Sequence, residues 1–198
     1  MFHVVPSLKA ALKAVDAGVD GLIVEGGEGG GFKSPQEVAS MVLLPLVRSR
    51  TEVPIVATGG IVDGCTMAAA FALGAEGVQM GTRMVSAAES PVHQNWKDAI
   101  VAAQETDTVM LNRFHSPALR ALRTERATEL ELRTEENVMG EFGRATDLYF
   151  GGDMEAAIAL TGQVCGRIDS VKPVAQIIDE VRNEFFDTLG ALEKQYGG

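Results

Sequence analysis

The sequence predicts an α/β fold built on a parallel β-sheet, and two observations support this. Four short runs of apolar residues are rich in Val and Ile and lack strict apolar–polar alternation. Segments with helical periodicity separate them, so the predicted order is βαβαβαβ. Continuous apolar strands joined by helices are typical of a parallel sheet covered on its faces, in either a doubly wound sheet or a (β/α)8 barrel.

The first half of the chain carries these elements. The predicted strands cover residues 2–5, 21–25, 54–58 and 77–80. The first predicted helix has apolar residues at Leu8, Ala11, Leu12 and Val15, with Ser7 as its cap and Gly18 as its end. Residues 36–50 and 64–73 are the next two predicted helices.

From Pro91 onward the sequence predicts helices and no convincing strand. These helices cover residues 92–104, 116–127, 135–143, 153–163 and 172–195. The charged stretch 123–137 is interpreted as part of a helical lid or insertion over residues 91–150, or as an ordinary exposed face. Residues 151–198 are expected to pack as C-terminal helices on the same single domain.

Composition excludes several classes of function. The 198 residues carry 17 basic and 27 acidic side chains, a formal charge of −10, which argues against nucleic-acid and membrane partners. No apolar run reaches 18 residues and no leader is evident, so neither a membrane span nor a secretory signal is predicted. The two cysteines lack metal-ligand spacing, which predicts no metal site and a reducing, cytoplasmic location.

Glycine turns follow two successive predicted strands. Gly59 and Gly60 follow residues 54–58, and Gly81 with Thr82 follows residues 77–80. Backbone amides at a strand end that opens a helix attract phosphate, and glycine lets the backbone approach it. If the two strands are neighbours, both turns converge on one anion; the alternative is that the glycines only end the strands. No G-x-G-x-x-G fingerprint is present, which disfavours a dinucleotide fold.

A third glycine cluster, "VEGGEGGGFKSP", spans residues 25–35. Its glycine content predicts an irregular loop facing a ligand. Glu25 and Glu28 are candidates to accept hydrogen bonds from a heterocycle, with Lys33 balancing their charge; plain solvent exposure is the alternative for both carboxylates.

Four motifs together resemble the nitronate monooxygenase (2-nitropropane dioxygenase) family and its relative, the FMN-dependent enoyl-acyl-carrier-protein reductase. They are "GVDGLIVEGGEGGG", "PIVATGGIVDG", "AAAFALGAEGVQMGTRM" and "TGQVCG". The resemblance implies a TIM barrel that binds FMN non-covalently. The FMN contacts that it implies are Glu25, Gly30, Gly31, Gly59, Gly60, Gln79, Met80, Gly81 and Thr82.

One departure concerns the catalytic base. Family members commonly carry "EAGGH" where this chain has "EGGGF", so Phe32 stands at the position of the usual histidine. Phenylalanine cannot take a proton. His3, His93 and His115 remain, and none is assigned as the base, although His115 is the first to test. The catalytic residues are therefore unknown at this stage.

The second departure concerns length. A (β/α)8 barrel usually takes about 250 residues, and this chain has 198. Residues 1–90 correspond to strands five to eight, so strands one to four are expected before Met1. Half a barrel would expose strand edges and apolar surface, which predicts a homo-oligomer or pairing with a separate first half.

The predicted function is that of an FMN-dependent oxidoreductase oxidising alkyl nitronates or nitroalkanes with oxygen. A reductase of enoyl thioesters or quinones, with NAD(P)H as co-substrate, is the closest alternative. A non-catalytic flavin- or phosphate-binding partner is the alternative from another class.

Overall fold

The computed structural model describes residues 1–197. Within them the chain forms seven strands and eight α-helices, with 3₁₀ turns at Val138–Glu141 and Gln163–Arg167. In chain order the elements are β1 (Phe2–Val5), α1 (Leu8–Asp16), β2 (Gly21–Glu25), β3 (Gly31–Lys33), α2 (Ser40–Arg48), β4 (Ile55–Thr58), α3 (Gly64–Ala72), β5 (Gly77–Gln79), α4 (Thr82–Val85), α5 (Gln94–Ala102), β6 (Thr108–Leu111), β7 (Ala118–Leu122), α6 (Glu125–Glu131), α7 (Ala145–Tyr149) and α8 (Val174–Tyr196).

The four predicted strands form one parallel sheet, which confirms the α/β prediction. Its order is β1-β2-β4-β5, so each strand lies beside the next one of the set. Helices α1 and α3 connect neighbouring strands, and β3 with α2 lies between β2 and β4. The carboxyl ends of β2, β4 and β5 therefore meet at one edge of the sheet.

Local signals explain where the helices begin. Ser7 accepts a hydrogen bond from the Ala10 amide at the start of α1, as the sequence predicts. At α3, Asp63 and Thr66 form a capping box, in which each side chain satisfies the other's backbone amide.

The helices cover one face of the parallel sheet. Val5, Leu22, Val24, Ile55 and Ala57 are buried on this face, in a cluster with residues of α1, α2 and α3. On the other face the register aligns Val4, Ile23 and Val56, which are less buried, and Val4 is 47% exposed. In the described chain the second face carries no comparable helical layer, which is the arrangement of the barrel alternative, since the helices of a (β/α)8 barrel form an outer ring.

A second sheet contradicts the prediction that the later chain lacks strands. Strands β3, β7 and β6 form an antiparallel sheet in the order β3-β7-β6. The predicted helix over 116–127 is wrong, because residues 118–122 form β7 and helix α6 begins only at Glu125. The glycine-rich loop also contains a regular element, since Gly31 pairs with Arg120 and Phe32 with Leu119.

The other helices predicted for the later chain are partly confirmed and partly wrong. Helices α5 and α8 confirm the predictions at 92–104 and 172–195. Residues 135–143 contain only a 3₁₀ turn, and the prediction at 153–163 is wrong because no α-helix forms there within the described chain. Helix α7 was not predicted. None of the helices in residues 1–197 is both long and apolar enough to cross a membrane.

Candidate functional site

A cavity of about 290 Å³ opens at the carboxyl ends of β2, β4 and β5. Three loops and parts of the later chain surround it. Its lining consists of Glu25, Glu28, Gly29, Gly30, Gly31, Thr58, Gly59, Gly60, Ile61, Gln79, Gly81, Thr82, Val85, Trp96, Tyr149, Leu160, Gly162 and Val164.

The sheet register sets the floor of this cavity. Glu25 is aligned with Thr58, and Thr58 with Gln79, so these three residues form a row across neighbouring strands. Thr58 Oγ1 donates to the Gln79 carbonyl oxygen at 3.1 Å. The row follows the less covered face of the sheet, because side chains on a strand alternate between faces.

The turn after β4 has a backbone that requires glycine. Gly59 and Gly60 have φ values of +83° and +82°, in a region that side chains disfavour. A Cβ on Gly59 would also lie 2.8 Å from the Gly26 carbonyl oxygen. This turn therefore packs directly on the glycine-rich loop.

The turn after β5 leaves space toward the cavity. A Cβ on Gly81 would meet no atom within 4 Å. The next residue, Thr82, is buried, and its Oγ1 accepts a hydrogen bond from the Gly162 amide at 2.9 Å. The Thr82 hydroxyl hydrogen remains available to a ligand.

The turns after β4 and β5 line the same cavity. Among residues 1–197, no oxygen accepts a hydrogen bond from the amides of Gly60, Gly81 and Thr82. Free amides of this kind can bind an anion. The helices that follow these turns offer few further amides to an anion. Helix α4 has only four residues, and two amides in the first turn of α3 already donate to Asp63 and Glu184.

Glu28 has a structural role in the glycine-rich loop. Its carboxylate accepts hydrogen bonds from the Ser40 amide at 3.0 Å and from Ser40 Oγ at 3.0 Å. Ser40 Oγ also lies 3.1 Å from the Gly59 carbonyl oxygen. Glu28 therefore joins the start of α2 to two glycine loops, rather than being the solvent-exposed residue that one interpretation of the sequence allowed.

Glu25 pairs with Lys33, as the charge-balance hypothesis proposes. Lys33 Nζ lies 2.7 Å from Glu25 Oε1 and 3.0 Å from the Gly26 carbonyl oxygen. The Lys33 side chain is only 3% exposed, and its burial lowers the pKa of the ammonium group, against the opposing effect of Glu25. The Lys33 ammonium group therefore pairs with the Glu25 carboxylate beside the cavity and is shielded from solvent.

Arg120 is a positioning residue that the sequence did not reveal. It lies on β7, and its guanidinium donates to the Gly27 carbonyl oxygen at 3.0 Å and to Glu37 Oε1 at 2.5 Å. A third hydrogen bond reaches Thr108 Oγ1 at 3.2 Å. Because β7 was expected to be helical, no sequence signal placed Arg120 beside the loop.

Eight of the nine predicted cofactor contacts line the cavity, and Met80 does not. Its side chain packs against two apolar clusters of the core. The structure thus brings Glu25, Gly30, Gly31, Gly59, Gly60, Gln79, Gly81 and Thr82 together. Their contact with FMN stays a prediction.

The residues considered for the base lie outside the cavity lining. Phe32 is 55% exposed and stacks on Phe142 with ring centroids 6.3 Å apart. None of His3, His93 and His115 lines the cavity in the described chain. His93 instead caps α5, with its Nδ1 accepting from the Asn95 amide.

The later chain supplies an aromatic wall that sequence reasoning missed. Trp96 and Tyr149 line the cavity and pack edge to face, with centroids 4.9 Å apart. Trp96 Nε1 donates to Thr161 Oγ1 at 3.3 Å. Gly162 lies in "TGQVCG", one of the motifs that carry the family resemblance, and this was a reason to place it at the site. No local pattern marks Trp96 in this way.

Comparisons with known proteins identify the family of this chain. The model of the family described as nitronate monooxygenase matches residues 1–184. A (3aS,4S,5R,7aS)-5-hydroxy-7a-methyl-1-oxo-octahydro-1H-indene-4-carboxyl-CoA dehydrogenase of Rhodococcus jostii is 41% identical over 131 residues, which are 65% of this chain and 36% of that protein.

Two solved structures are similar to the chain. FabK from Thermotoga maritima has 41% identity and a TM-score of 0.92, over 98% of this chain and 63% of that one. Nitroalkane oxidase from Streptomyces ansochromogenes has a TM-score of 0.78 at 23% identity, over 96% of this chain and 58% of that one, which shows a shared fold.

The chain thus spans about a third of that dehydrogenase and under two thirds of the FabK chain. The family match nevertheless covers most of the sequence, including all three glycine clusters. The chain belongs to the nitronate monooxygenase family.

Proposed function

We propose that this chain forms the FMN-binding part of an FMN-dependent oxidoreductase. The observation that carries the proposal is the pair of turns whose free amides, at Gly60, Gly81 and Thr82, border one cavity. Bound FMN would accept an electron pair from the substrate. The chain would bind and orient FMN and the substrate.

The residues present fit a flavin mononucleotide. The amides of Gly60, Gly81 and Thr82 are suited to its phosphate, and Thr58 and Gln79 offer polar groups on the cavity floor. A Cβ on Gly30 would lie 2.6 Å from the Gly162 backbone nitrogen, so glycine brings these two loops into contact. The volume of about 290 Å³ lies just below the range of roughly 300–1,000 Å³ that is typical of small-molecule pockets.

We infer that the substrate is an alkyl nitronate or nitroalkane, oxidised with oxygen. A nitronate already lacks its acidic proton, so its oxidation needs no histidine base. Trp96, Leu160 and Val164 line the cavity and would form an apolar wall beside such a substrate.

A reductase acting on an enoyl thioester or quinone, with NAD(P)H as hydride donor, is the second candidate. The likeness to FabK, at 41% identity and a TM-score of 0.92, favours it. The two candidates differ in the co-substrate, since one consumes oxygen and the other consumes NAD(P)H. A non-catalytic flavin-binding partner would consume neither.

The FMN site is tested by titrating the purified chain with FMN and following flavin fluorescence and absorbance. We expect saturable binding that Gly81→Val weakens at least about tenfold, because the new side chain would enter the open space beside the cavity. Gly140→Val is the matched control, since Gly140 also has no atom within 4 Å of its Cβ position and lies outside the cavity.

Equal binding by both variants, or no binding by the wild type, would contradict the proposed site. With FMN bound, oxygen uptake on addition of ethyl nitronate supports the first reaction. NADPH or NADH oxidation that depends on an enoyl thioester or a quinone supports the second. Binding without either reaction supports the non-catalytic alternative.

We also propose that the parallel sheet is part of a barrel completed by another copy or another polypeptide. In the described chain β1 and β5 are the edges of the sheet. The apolar row Val4, Ile23 and Val56 would then face a barrel interior. A cytoplasmic location is part of the same proposal, and it is consistent with two free cysteines.

A further inference from the structure

The cavity offers few groups able to accept a proton. In the described chain its titratable lining residues are Glu25, Glu28 and Tyr149. A tyrosine hydroxyl is ordinarily neutral near pH 7, whereas carboxylates are ordinarily ionised. Among the described residues, the candidates for a base that acts in this cavity are therefore the two glutamates.

Glu28 is a poor candidate because its carboxylate is already used. Both of its oxygens accept hydrogen bonds from Ser40, through the amide at 3.0 and 3.3 Å and the hydroxyl at 3.0 Å. Taking a proton would break contacts that hold the start of α2 against the glycine loops.

Glu25 differs in having one oxygen free. Lys33 Nζ holds Oε1 at 2.7 Å, and no group in residues 1–197 donates to Oε2. Lys33 is itself fixed by the Gly26 carbonyl oxygen and is shielded from solvent. The ammonium group thus orients the carboxylate at the end of β2, beside Thr58 on the cavity floor.

We propose that Glu25 is the proton acceptor that lets this site use neutral nitroalkanes as well as nitronates, an inference that rests on the proposed function. Glu25 Oε2 takes the proton from the carbon that bears the nitro group. The electron pair of the broken C–H bond moves into the nitro group, which yields the nitronate anion and a protonated Glu25. No oxidant takes part in this step.

The test separates proton removal from oxidation. Nitroethane is incubated in D2O without oxygen, with and without FMN, and exchange of its α-protons is followed by ¹H NMR. Oxygen uptake is then measured separately with nitroethane and with ethyl nitronate. We compare the wild type, Glu25→Gln, and the control Glu76→Gln, which alters a 59% exposed carboxylate paired with Arg48.

We expect Glu25→Gln to slow both proton exchange and nitroethane oxidation by at least about 100-fold. Its loss of ethyl nitronate oxidation, measured at saturating FMN because Glu25 is also a predicted FMN contact, should be at least about tenfold smaller, since that substrate has already lost the proton. Glu76→Gln should match the wild type in all three measurements.

Exchange by Glu25→Gln at the wild-type rate overturns the proposal, and so does a wild type that exchanges no faster than buffer. An equal loss with nitroethane and nitronate also overturns it, because that pattern indicates general damage to the site. Glu25→Gln with Lys33→Met removes both charges of the buried pair and repeats the test if the single variant fails to fold. If the wild type exchanges protons but oxidises neither substrate, the proposed function is wrong. Slower exchange by Glu25→Gln would in that case still support Glu25 as the proton acceptor.

Discussion

Glu25 and Glu28 carry the same side chain three residues apart in a glycine-rich loop. Their surroundings separate them, because Ser40 occupies both oxygens of Glu28 while Lys33 holds only one oxygen of Glu25. The positions of Ser40 and Lys33 therefore decide which carboxylate has an oxygen available to a ligand.

Burial separates the two cysteines in the same way. Cys65 is exposed, whereas Cys165 is fully buried in an apolar cluster with Trp96. Burial raises the pKa of the Cys165 thiol above its ordinary value of 9.0. The unfolded chain therefore loses this proton at a lower pH than the folded chain does.

We predict that this thiol makes the fold less stable in alkali. As pH rises through 9 toward the folded-state pKa, deprotonation favours the unfolded chain, so the free energy of unfolding falls. Urea unfolding between pH 7 and 10 should show this loss in the wild type and in Cys65→Ala. Cys165→Ala should lack that component of the pH dependence, and identical slopes in all three proteins would contradict the prediction.

At the scale of elements, α8 depends on a close approach to α3. A Cβ on Gly64 would lie 2.2 Å from the Phe185 backbone nitrogen and 2.5 Å from the Val181 carbonyl oxygen. Val181 and Phe185 are buried, and Phe185 packs edge to face on Phe71 of α3 with centroids 5.2 Å apart. A glycine at the start of α3 therefore allows the two helices to touch through their backbones.

We predict opposite effects for two glycine-to-alanine changes on this helix pair. Gly64→Ala should destabilise the protein by several kcal/mol, because the added methyl group overlaps backbone atoms of α8. Gly190→Ala should stabilise it by about 0.5–1 kcal/mol, because Gly190 is exposed within α8 and has no atom near its Cβ position. Chemical unfolding measures both, and destabilisation by Gly190→Ala would be inconsistent with the packing.

The elements also show where local patterns mislead. Helix α1 has an apolar stripe, a cap and a glycine end, and these agree with one another. Strand β7 reads "ALRAL", whose residues favour helices, yet all five are buried between β3 and β6. Pairing with strands distant in sequence overrides the local preference there.

For the whole molecule, the less covered face of the parallel sheet is a surface suited to assembly. Phe2 and Val4 are about half exposed on β1, whose outer edge pairs with no strand in the described chain. An unpaired edge with apolar side chains favours association with another polypeptide.

We predict that the purified chain self-associates through this surface when no other partner is present. Light scattering after size exclusion should give a mass above 21.0 kDa. Val4→Lys should shift the chain toward monomer, because it places a charge on the associating surface. Leu132→Lys is the control at a residue that is 79% exposed elsewhere; a monomeric wild type would rule the association out.

The sequence by itself determined the parallel sheet, its first three helices and eight of the nine predicted residues that line the cavity. The sheet, the helices and the glycine turns follow from local signals, because strand ends, glycines and caps lie within a few residues of one another, whereas Gly30, Gly31 and Gln79 were implied by the family resemblance. Only the tertiary structure decided the second sheet, the position of Arg120, the aromatic wall of Trp96 and Tyr149, and the separate roles of Glu25 and Glu28. The second sheet, the place of Arg120 and the aromatic wall depend on contacts between segments far apart in the chain, and the roles of Glu25 and Glu28 depend on which oxygens Lys33 and Ser40 occupy, which no local pattern of residues encodes.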